Sequence, residues 1–260
     1  MLRRRHRRAP DRFQLSYIDR EPIANSFIII TKAAHLLIGS GRRSVGRWLP
    51  VLVLAASAAW AMDFVRLEQL LLARFGPAQL PLLRDLQQTL AEARPAPETA
   101  KLAKVNDFIN RRIRFEDDLA IWNRSDYWAT PLETIGQGSG DCEDLAIIKY
   151  YALKALGIPL AKLRLIYVKA SLQGPSGPYQ QAHMVLAYYP TPNAVPLVLD
   201  NLVTEILPAS QRNDLLPVFS FNSEAIWSSA AGNAAKGTRG TSQLSRWQNL
   251  LQRARNEGVD

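Results

Sequence analysis

The sequence contains a single cysteine, Cys142, which lies among acidic residues in the stretch GDCEDLA. A cysteine that acts in chemistry does so as its thiolate. The carboxylates of Asp141, Glu143 and Asp144 oppose that ionisation, because a carboxylate about 6 Å from the sulfur raises the thiolate's free energy by roughly 2 to 3 kcal/mol at an effective dielectric constant of ~20. Either Cys142 is an inert thiol at the start of a helix, or a positive group corrects the local field.

Two further residues complete a set that fits nucleophilic catalysis. Of the three histidines, His6 and His35 lie near the N-terminus, which leaves His183 as the imidazole partner for Cys142. An imidazole can take the proton of a thiol and later protonate a leaving amine, while a carboxylate such as Asp200 holds the ring in the required tautomer. Taken singly, these residues have ordinary structural interpretations: a buried thiol, a core histidine and an acid before a turn.

The elements around these residues would bring them together. A helix is predicted to begin at Cys142, with Asp141 as its N-cap, and to end before Gly157. A thiolate at a helix N-terminus faces the positive end of the helix dipole. His183 lies in the second of three strand-like runs, Asp200 closes the third, and the short connections between the runs predict antiparallel neighbours.

The chain before this helix also contains helical patterns, which together with the strands predict an α+β fold. The run from Met62 to about Glu92 has apolar residues at helical spacing and is interrupted at Gly76, so two helices are expected there. A third helix is predicted in TAKLAKVNDFINRRIRF. The stretch that follows, up to Gly140, is expected to be a long irregular loop, of the kind that often serves binding or catalysis.

The charge distribution argues against a nucleic-acid partner. The net charge is +9, but residues 1–47 hold 11 Lys or Arg against 3 acids, which leaves only +1 for the rest of the chain. The protein beyond its N-terminus is therefore nearly neutral, and we predict that it does not bind nucleic acid.

The N-terminal 61 residues are predicted to be a basic extension followed by a cleavable secretory signal peptide. An apolar run of about 14 residues begins at Trp48 and ends in the small-residue pattern Ala59, Trp60, Ala61, which predicts cleavage after Ala61. This run is shorter than the roughly 20 residues of a membrane-spanning helix. The alternatives are an uncleaved anchor or a buried helix. Residues 1–40 also fit upstream sequence that is not translated, or a second hydrophobic element in NSFIIITKAAHLLIG. Cleavage would place the protein in the periplasm.

The motifs GDCEDLA, AHMVLAY and LVLDNL, at these separations, resemble the bacterial transglutaminase-like cysteine proteinases, and specifically the LapG-type periplasmic proteases. The resemblance covers the chain from about Asp63 to Phe221. It implies a papain/transglutaminase-like core over residues 62–228, with N-terminal helices, a helix that bears the nucleophile and an antiparallel sheet. Residues 229–260 fall outside it and are predicted to form a flexible C-terminal tail that ends in a short amphipathic segment.

The resemblance also implies roles for individual residues. Carried over by position, it makes Cys142 the nucleophile, His183 the general acid and base, and Asp200 the orienting acid. It implies a calcium requirement, with Asp141 and Glu143 as ligands. Further candidate ligands are Asp144, Asp117 and Asp118. Calcium would be the positive group that corrects the field around the cysteine.

The family resemblance further implies a substrate and a partner. Proteases of this type cleave the N-terminal region of large surface adhesins at a paired-alanine site, which releases cells from biofilm. An inner-membrane receptor for cyclic di-GMP sequesters them.

Two other functions fit the same residues. A transglutaminase-type acyl transferase would use the same three catalytic groups, and a calcium-binding interaction module would use the acids without catalysis. The acids at the helix start would also serve as ordinary helix caps, with no metal.

Overall fold

The computed structural model describes residues 62–227 and 245–260, which belong to one compact unit. The predicted basic extension and signal peptide (1–61), and residues 228–244 of the predicted C-terminal tail, lie outside the described residues. None of the described helices is long and apolar enough to cross a membrane. The described helices are α1 (Phe64–Phe75), α2 (Leu80–Ala93), α3 (Glu98–Arg112), α4 (Asp118–Trp122), α5 (Pro131–Gln137), α6 (Cys142–Ala155) and α7 (Ser245–Asn256).

The first three helices follow the predicted apolar spacing. Helix α1 begins after Asp63, whose carboxylate accepts a hydrogen bond from the Arg66 N–H at 3.1 Å, and it ends at Gly76. Gly76 has a φ of 76°, a left-handed value that favours glycine. Each of the three helices buries one apolar face, as expected of helices packed on a common core.

The segment between α3 and α6 is more regular than the predicted loop. It contains α4, α5 and a short parallel pair of strands. Helix α5 begins with a capping box, in which Thr130 Oγ1 accepts from the Glu133 N–H and the Glu133 carboxylate accepts from the Thr130 N–H. The loop prediction missed these elements because each is too short to produce a periodic apolar pattern.

One antiparallel sheet of six strands forms the other half of the unit, with spatial order β6-β5-β4-β3-β7-β8. The three predicted strands correspond to β3, β4 and β5, and β3 pairs with β4 in a register that places His183 opposite Val168. The predicted antiparallel arrangement is confirmed. The strands are β1 (Arg114–Phe115), β2 (Ser139–Gly140), β3 (Leu163–Gly174), β4 (Gly177–Tyr188), β5 (Leu197–Leu199), β6 (Leu207–Pro208), β7 (Leu215–Phe221) and β8 (Ile226–Trp227).

Helix α6 is the centre of the core. It lies between the sheet and the N-terminal helices, with α3 on one side and β3 and β4 on the other. Apolar side chains therefore cover it almost completely, and residues such as Ile147, Ile148 and Tyr150 are fully buried. A helix buried on all sides has few ways to shift, so its first residue is held firmly in place.

The C-terminal helix α7 corrects the prediction of a flexible tail for residues 245–260. Trp247 and Leu250 of α7 are fully buried, and the Trp247 Nε1–H donates to the carbonyl oxygen of Asn222 at 3.1 Å. Beyond the helix, Val259 forms a β-bridge with Met62. The composition of the preceding Gly- and Ser-rich stretch suggested a tail, but three apolar residues at helical spacing are enough to dock a short helix.

Candidate active site

Cys142 is the first residue of α6, and its thiol is held in a strongly acidic setting. The carboxylate of Asp141, the N-cap, accepts hydrogen bonds from the Glu143 and Asp144 N–H groups. The Cys142 Sγ–H donates to Glu143 Oε2 at 2.7 Å. Burial, followed by the charge and hydrogen bond of Glu143 and the charge of Asp141, raises the pKa of the Cys142 thiol far above its usual value. In this setting alone the thiol is protonated and unreactive.

The strand that carries His183 lies beside this thiol. The backbone N–H of Met184, the residue after His183 in β4, approaches the Cys142 sulfur and slightly lowers the pKa of the thiol. His183 itself is only 4% exposed. Helix α6 and strand β4 also pack directly on each other, so the first residue of the helix lies against the strand that carries the histidine.

His183 and Asp200 form a direct contact. His183 Nε2 lies 2.7 Å from Asp200 Oδ1, and Asp200 is 1% exposed. The contact makes Nε2 the N–H that donates to the carboxylate and leaves Nδ1 as the ring nitrogen that can exchange a proton with a thiol. This is the arrangement that orients a catalytic imidazole.

Asp200 stays ionised although it is buried. Burial raises its pKa, but the hydrogen bond and charge of His183, the hydrogen bond from Arg212, and the N–H of Leu202 together lower the pKa to about 2. The N–H of Asn201 also donates to Asp200 Oδ1, at 2.6 Å. The carboxylate is therefore a negative charge next to the imidazole at neutral pH and well below it.

The residues that hold Asp200 were not among the predicted site residues. Arg212 donates to Asp200 Oδ2 at 2.7 Å, and its side chain is 2% exposed. The side chains of Lys149 and Asn110 donate to the backbone carbonyl oxygen of Asp200 at 3.1 and 2.8 Å. Arg212 lies in an aperiodic turn, and Lys149 looks like an ordinary polar residue of a helix, so no sequence pattern marks them.

Four of the five predicted metal ligands come together near Cys142. Carboxylate oxygens of Asp118, Asp141 and Asp144 lie within 4.8 Å of one another, and an oxygen each of Asp141 and Glu143 lie equally close to the cysteine sulfur. Asp117, the fifth, is exposed at the N-cap position of α4 and belongs to neither group.

These acids repel one another in the absence of a cation. Burial, partly opposed by the Tyr127 N–H, and then the charge of Glu143 raise the pKa of Asp118 to about 6. Burial and the neighbouring carboxylates also raise the pKa values of Asp141 and Asp144. Such crowding is unfavourable unless a positive charge is shared among the oxygens.

The cluster has donor atoms that suit a hard divalent cation. Asp118 Oδ1 and Asp144 Oδ2 are buried and have no hydrogen-bond partner among the described residues, which is costly for a carboxylate oxygen. A Cβ at position 140 would lie 2.7 Å from the Asp144 Cβ and 2.9 Å from Asp144 Oδ2, so Gly140 leaves the space that this carboxylate occupies. An all-oxygen carboxylate set with flexible geometry is the chemistry that calcium prefers.

Comparison with known proteins agrees with this fold. The model of the bacterial transglutaminase-like cysteine proteinase family matches residues 85–230. The chain belongs to this family. Its α+β, transglutaminase-like fold is thereby confirmed, and its class is that of a cysteine proteinase. A search of curated protein sequences found no match.

Solved structures of Legionella pneumophila LapG are similar to this family member over most of its length. The EGTA-treated LapG structure has a TM-score of 0.63 and 36% identity, and the alignment covers 74% of this chain and 97% of that one. A second LapG structure has a TM-score of 0.61, 38% identity and the same coverage of 74% and 97%. The calcium-bound LapG structure has a TM-score of 0.60 and 37% identity, with 74% and 99% covered.

Proposed function

We propose that this protein is a calcium-dependent periplasmic cysteine endopeptidase that cleaves the N-terminal region of a large surface adhesin at a paired-alanine site. The observation that carries the proposal is the contact of 2.7 Å between His183 Nε2 and Asp200 Oδ1, on a strand whose Met184 N–H approaches the sulfur of a cysteine at a helix N-terminus. Membership of a cysteine proteinase family and similarity to LapG support the reaction class.

In the proposed reaction, Cys142 is the nucleophile and His183 is the general acid and base. His183 Nδ1 takes the proton of the thiol, and the thiolate sulfur adds to the scissile carbonyl carbon. The C–N bond then breaks, the imidazolium gives its proton to the leaving amine, and a thioester remains on Cys142. Water adds to the thioester with His183 as base, which releases the carboxylic acid and restores the thiol. Asp200 stays ionised throughout and orients the ring.

The proposed calcium ligands are Asp118, Asp141, Glu143 and Asp144. When bound, the ion supplies positive charge that offsets the carboxylates around the Cys142 sulfur. Glu143 would then bind the cation instead of accepting the thiol proton, which frees the sulfur for His183. The calcium-bound and EGTA-treated forms of LapG support this choice of cation.

The substrate proposal is tested with a recombinant adhesin segment. The purified protein is incubated with the N-terminal segment of a large surface adhesin that contains an Ala-Ala pair, and with the same segment carrying Arg-Arg at that position. Mass spectrometry of the products should find a single cut at the alanine pair and none in the Arg-Arg segment. Cleavage that ignores the alanine pair would refute the substrate assignment.

The same reaction separates proteolysis from acyl transfer. A labelled primary amine is included, and an acyl transferase would incorporate the label instead of releasing two hydrolysed fragments. Cys142→Ala and His183→Ala should each abolish cleavage, and the double variant should be no worse, because groups that act as a unit are not additive. Independent, multiplicative losses would contradict the catalytic assignment.

The location and the partner are tested separately. We propose that export removes residues 1–61, so N-terminal sequencing of protein from the periplasmic fraction should begin at Met62. We also propose sequestration by an inner-membrane cyclic di-GMP receptor. Adding the periplasmic domain of such a receptor should inhibit adhesin cleavage in a saturable manner, and absence of inhibition at saturating receptor would exclude it.

A further inference from the structure

The short segment from Tyr127 to Ala129 holds two of the clustered acids by its backbone. The Tyr127 N–H donates to Asp118 Oδ2, and the Ala129 N–H donates to Asp144 Oδ1 at 2.7 Å. The second oxygen of each acid, Asp118 Oδ1 and Asp144 Oδ2, has no hydrogen-bond partner in the part of the chain that the structure describes. The segment therefore fixes the orientation of both carboxylates and leaves one oxygen of each for a cation.

The C-terminal helix α7 holds this segment from its other side. Arg253 Nη2 donates to the Trp128 carbonyl oxygen at 2.6 Å, in the middle of the segment. Its Nη1 donates to Tyr127 Oη at 2.9 Å and to Glu133, and its guanidinium lies 4.8 Å from the centre of the Tyr127 ring. One side chain thus contacts two of the three residues of the segment.

Arg253 is itself fixed in place. Its Nε–H donates to Asn249 Oδ1 on the same helix at 2.8 Å. Glu133, with a side chain 5% exposed, also pairs with Arg74 of α1 at 3.1 Å. The buried Trp247 anchors α7 on the core. The guanidinium is therefore a rigid support, and its charge is balanced locally by Glu133.

We infer that Arg253 is a positioning residue for the cation site, through which the C-terminal helix sets the affinity of the site for calcium. The inference rests on the proposed calcium site. Hydrogen-bond partners behind metal ligands typically change metal affinity by about 10- to 100-fold when they are removed. Arg253 acts one step further out, through the backbone that orients Asp118 and Asp144, so a loss of about tenfold is expected on that scale.

The direction of the change in calcium affinity distinguishes a positioning role of Arg253 from a purely electrostatic one. Replacing Arg253 with a neutral residue removes a positive charge from the neighbourhood of a cation site. By Coulomb's law that change alone would strengthen calcium binding. A weaker affinity can arise only if the carboxylates are less well oriented.

Isothermal titration of the purified full chain with CaCl₂ tests the inference without measuring activity. Arg253→Gln should bind calcium about tenfold more weakly than the wild type, and Arg253→Lys should fall between the two. The matched control is Arg246→Gln, which removes a positive charge from the same helix, where Arg246 pairs at 2.8 Å with the exposed Asp126. Its affinity should be equal to or slightly tighter than that of the wild type.

The outcomes distinguish a failure of the positioning role of Arg253 from a failure of the proposed calcium site. Equal affinity of Arg253→Gln and the wild type overturns the positioning role, as does an equal weakening in Arg246→Gln. If the wild type itself does not bind calcium, the proposed calcium site is wrong and the inference falls with it. Circular dichroism confirms that each variant is folded. If Arg253→Gln does not fold, the calcium affinities of Arg253→Lys and Tyr127→Phe are compared with that of the wild type instead, and a weaker affinity supports the positioning role.

Discussion

At the scale of single residues, Asp200 keeps its charge because its hydrogen bonds outweigh the cost of burial. Oδ1 accepts from His183 and from two backbone N–H groups, while Oδ2 accepts from Arg212. Arg212 is fixed in turn by two hydrogen bonds to Asp214, at 2.9 and 2.7 Å. The orientation of the carboxylate toward the imidazole thus depends on a guanidinium that touches neither the thiol nor the ring in any described contact.

Replacing Arg212 with glutamine should therefore impair turnover. We expect kcat for adhesin cleavage to fall by about 100-fold with little change in KM, because small displacements of a catalytic group cost on that order. The measurement is steady-state cleavage at a temperature at which the variant is folded.

The control for Arg212 is Arg164→Gln. Arg164 is also a buried arginine of the sheet region, but its guanidinium stacks at 4.4 and 4.1 Å on the Tyr189 and Trp227 rings instead of contacting Asp200. Both variants should lose stability, but only Arg212→Gln should lose kcat. Equal kcat losses in the two variants would mean that Arg212 acts only through stability.

The acid cluster leads to a second prediction for single residues, which concerns the stability of the protein when a chelator has removed calcium. The folded-state pKa of Asp118 is about 6, above the ordinary aspartate value of 3.8, so between these pH values the folded state binds a proton that the unfolded state does not. The folded form is therefore penalised at pH 8 and relieved as the pH falls through 6. Asp118→Asn, which has no charge to bury, should melt at a higher temperature than the chelated wild type at pH 8.

The decisive measurement is how the difference in melting temperature between Asp118→Asn and the wild type depends on pH. Thermal melts in EGTA at pH 8 and pH 5 should show the advantage of Asp118→Asn at the higher pH and little or none at the lower one. With excess calcium at pH 8 the order should reverse, because the asparagine would bind the cation less well than a carboxylate does. An advantage in EGTA that is the same at both pH values would contradict the raised pKa.

At the scale of elements, Asp141 has two roles at the N-terminus of α6. Asp141 caps the helix by accepting from two backbone N–H groups, and it also belongs to both groups of clustered metal-ligating atoms. A cap requires only an acceptor oxygen, whereas calcium binding benefits from the full negative charge. The two roles are therefore separable by substitution.

The variants Asp141→Asn and Asp141→Ala should separate helix capping from calcium binding. Asparagine caps a helix about as well as aspartate, so it should keep stability, whereas alanine should cost about 1 kcal/mol. Both variants should lose calcium affinity, as measured by titration, and should lose adhesin cleavage with it. If Asp141→Asn retains wild-type calcium affinity, the acid is only a helix cap.

The sequence was sufficient to predict the longer elements and the candidate catalytic residues Cys142, His183 and Asp200. The helix at Cys142 was predicted from its N-cap Asp141 and the glycine that ends it, and the 12-residue strand with His183 from its apolar run, and both are confirmed. The strand β5 is only three residues long and ends at Leu199, directly before Asp200. The elements α4 and α5 were missed because they span one or two turns. Arg212 and Arg253 were missed because their partners lie on other elements.

At the scale of the whole molecule, the C-terminal helix joins parts of the chain that are distant in sequence. Trp247 lies among the rings of Trp128, Tyr150, Tyr151 and Phe221, at centroid distances of 5.3 to 6.5 Å. Near the other end of α7, Asn256 accepts from Arg66 of α1 at 2.7 Å. The last residues of the chain thus complete a core begun by the first described helix, a long-range relation that local patterns do not encode.

This arrangement predicts that the C-terminal helix is part of the folded core and not a dispensable tail. Trp247→Ala removes a fully buried ring and leaves the Asn222 carbonyl oxygen without its donor, so it should lower the free energy of unfolding by about 3 to 5 kcal/mol. Gln252→Ala on the exposed face of the same helix should change it by less than about 0.5 kcal/mol. Urea denaturation followed by circular dichroism measures both. A flexible tail would give the same unfolding midpoint for the two variants, whereas a docked helix gives a large loss for Trp247 alone, because only that side chain fills space in the core.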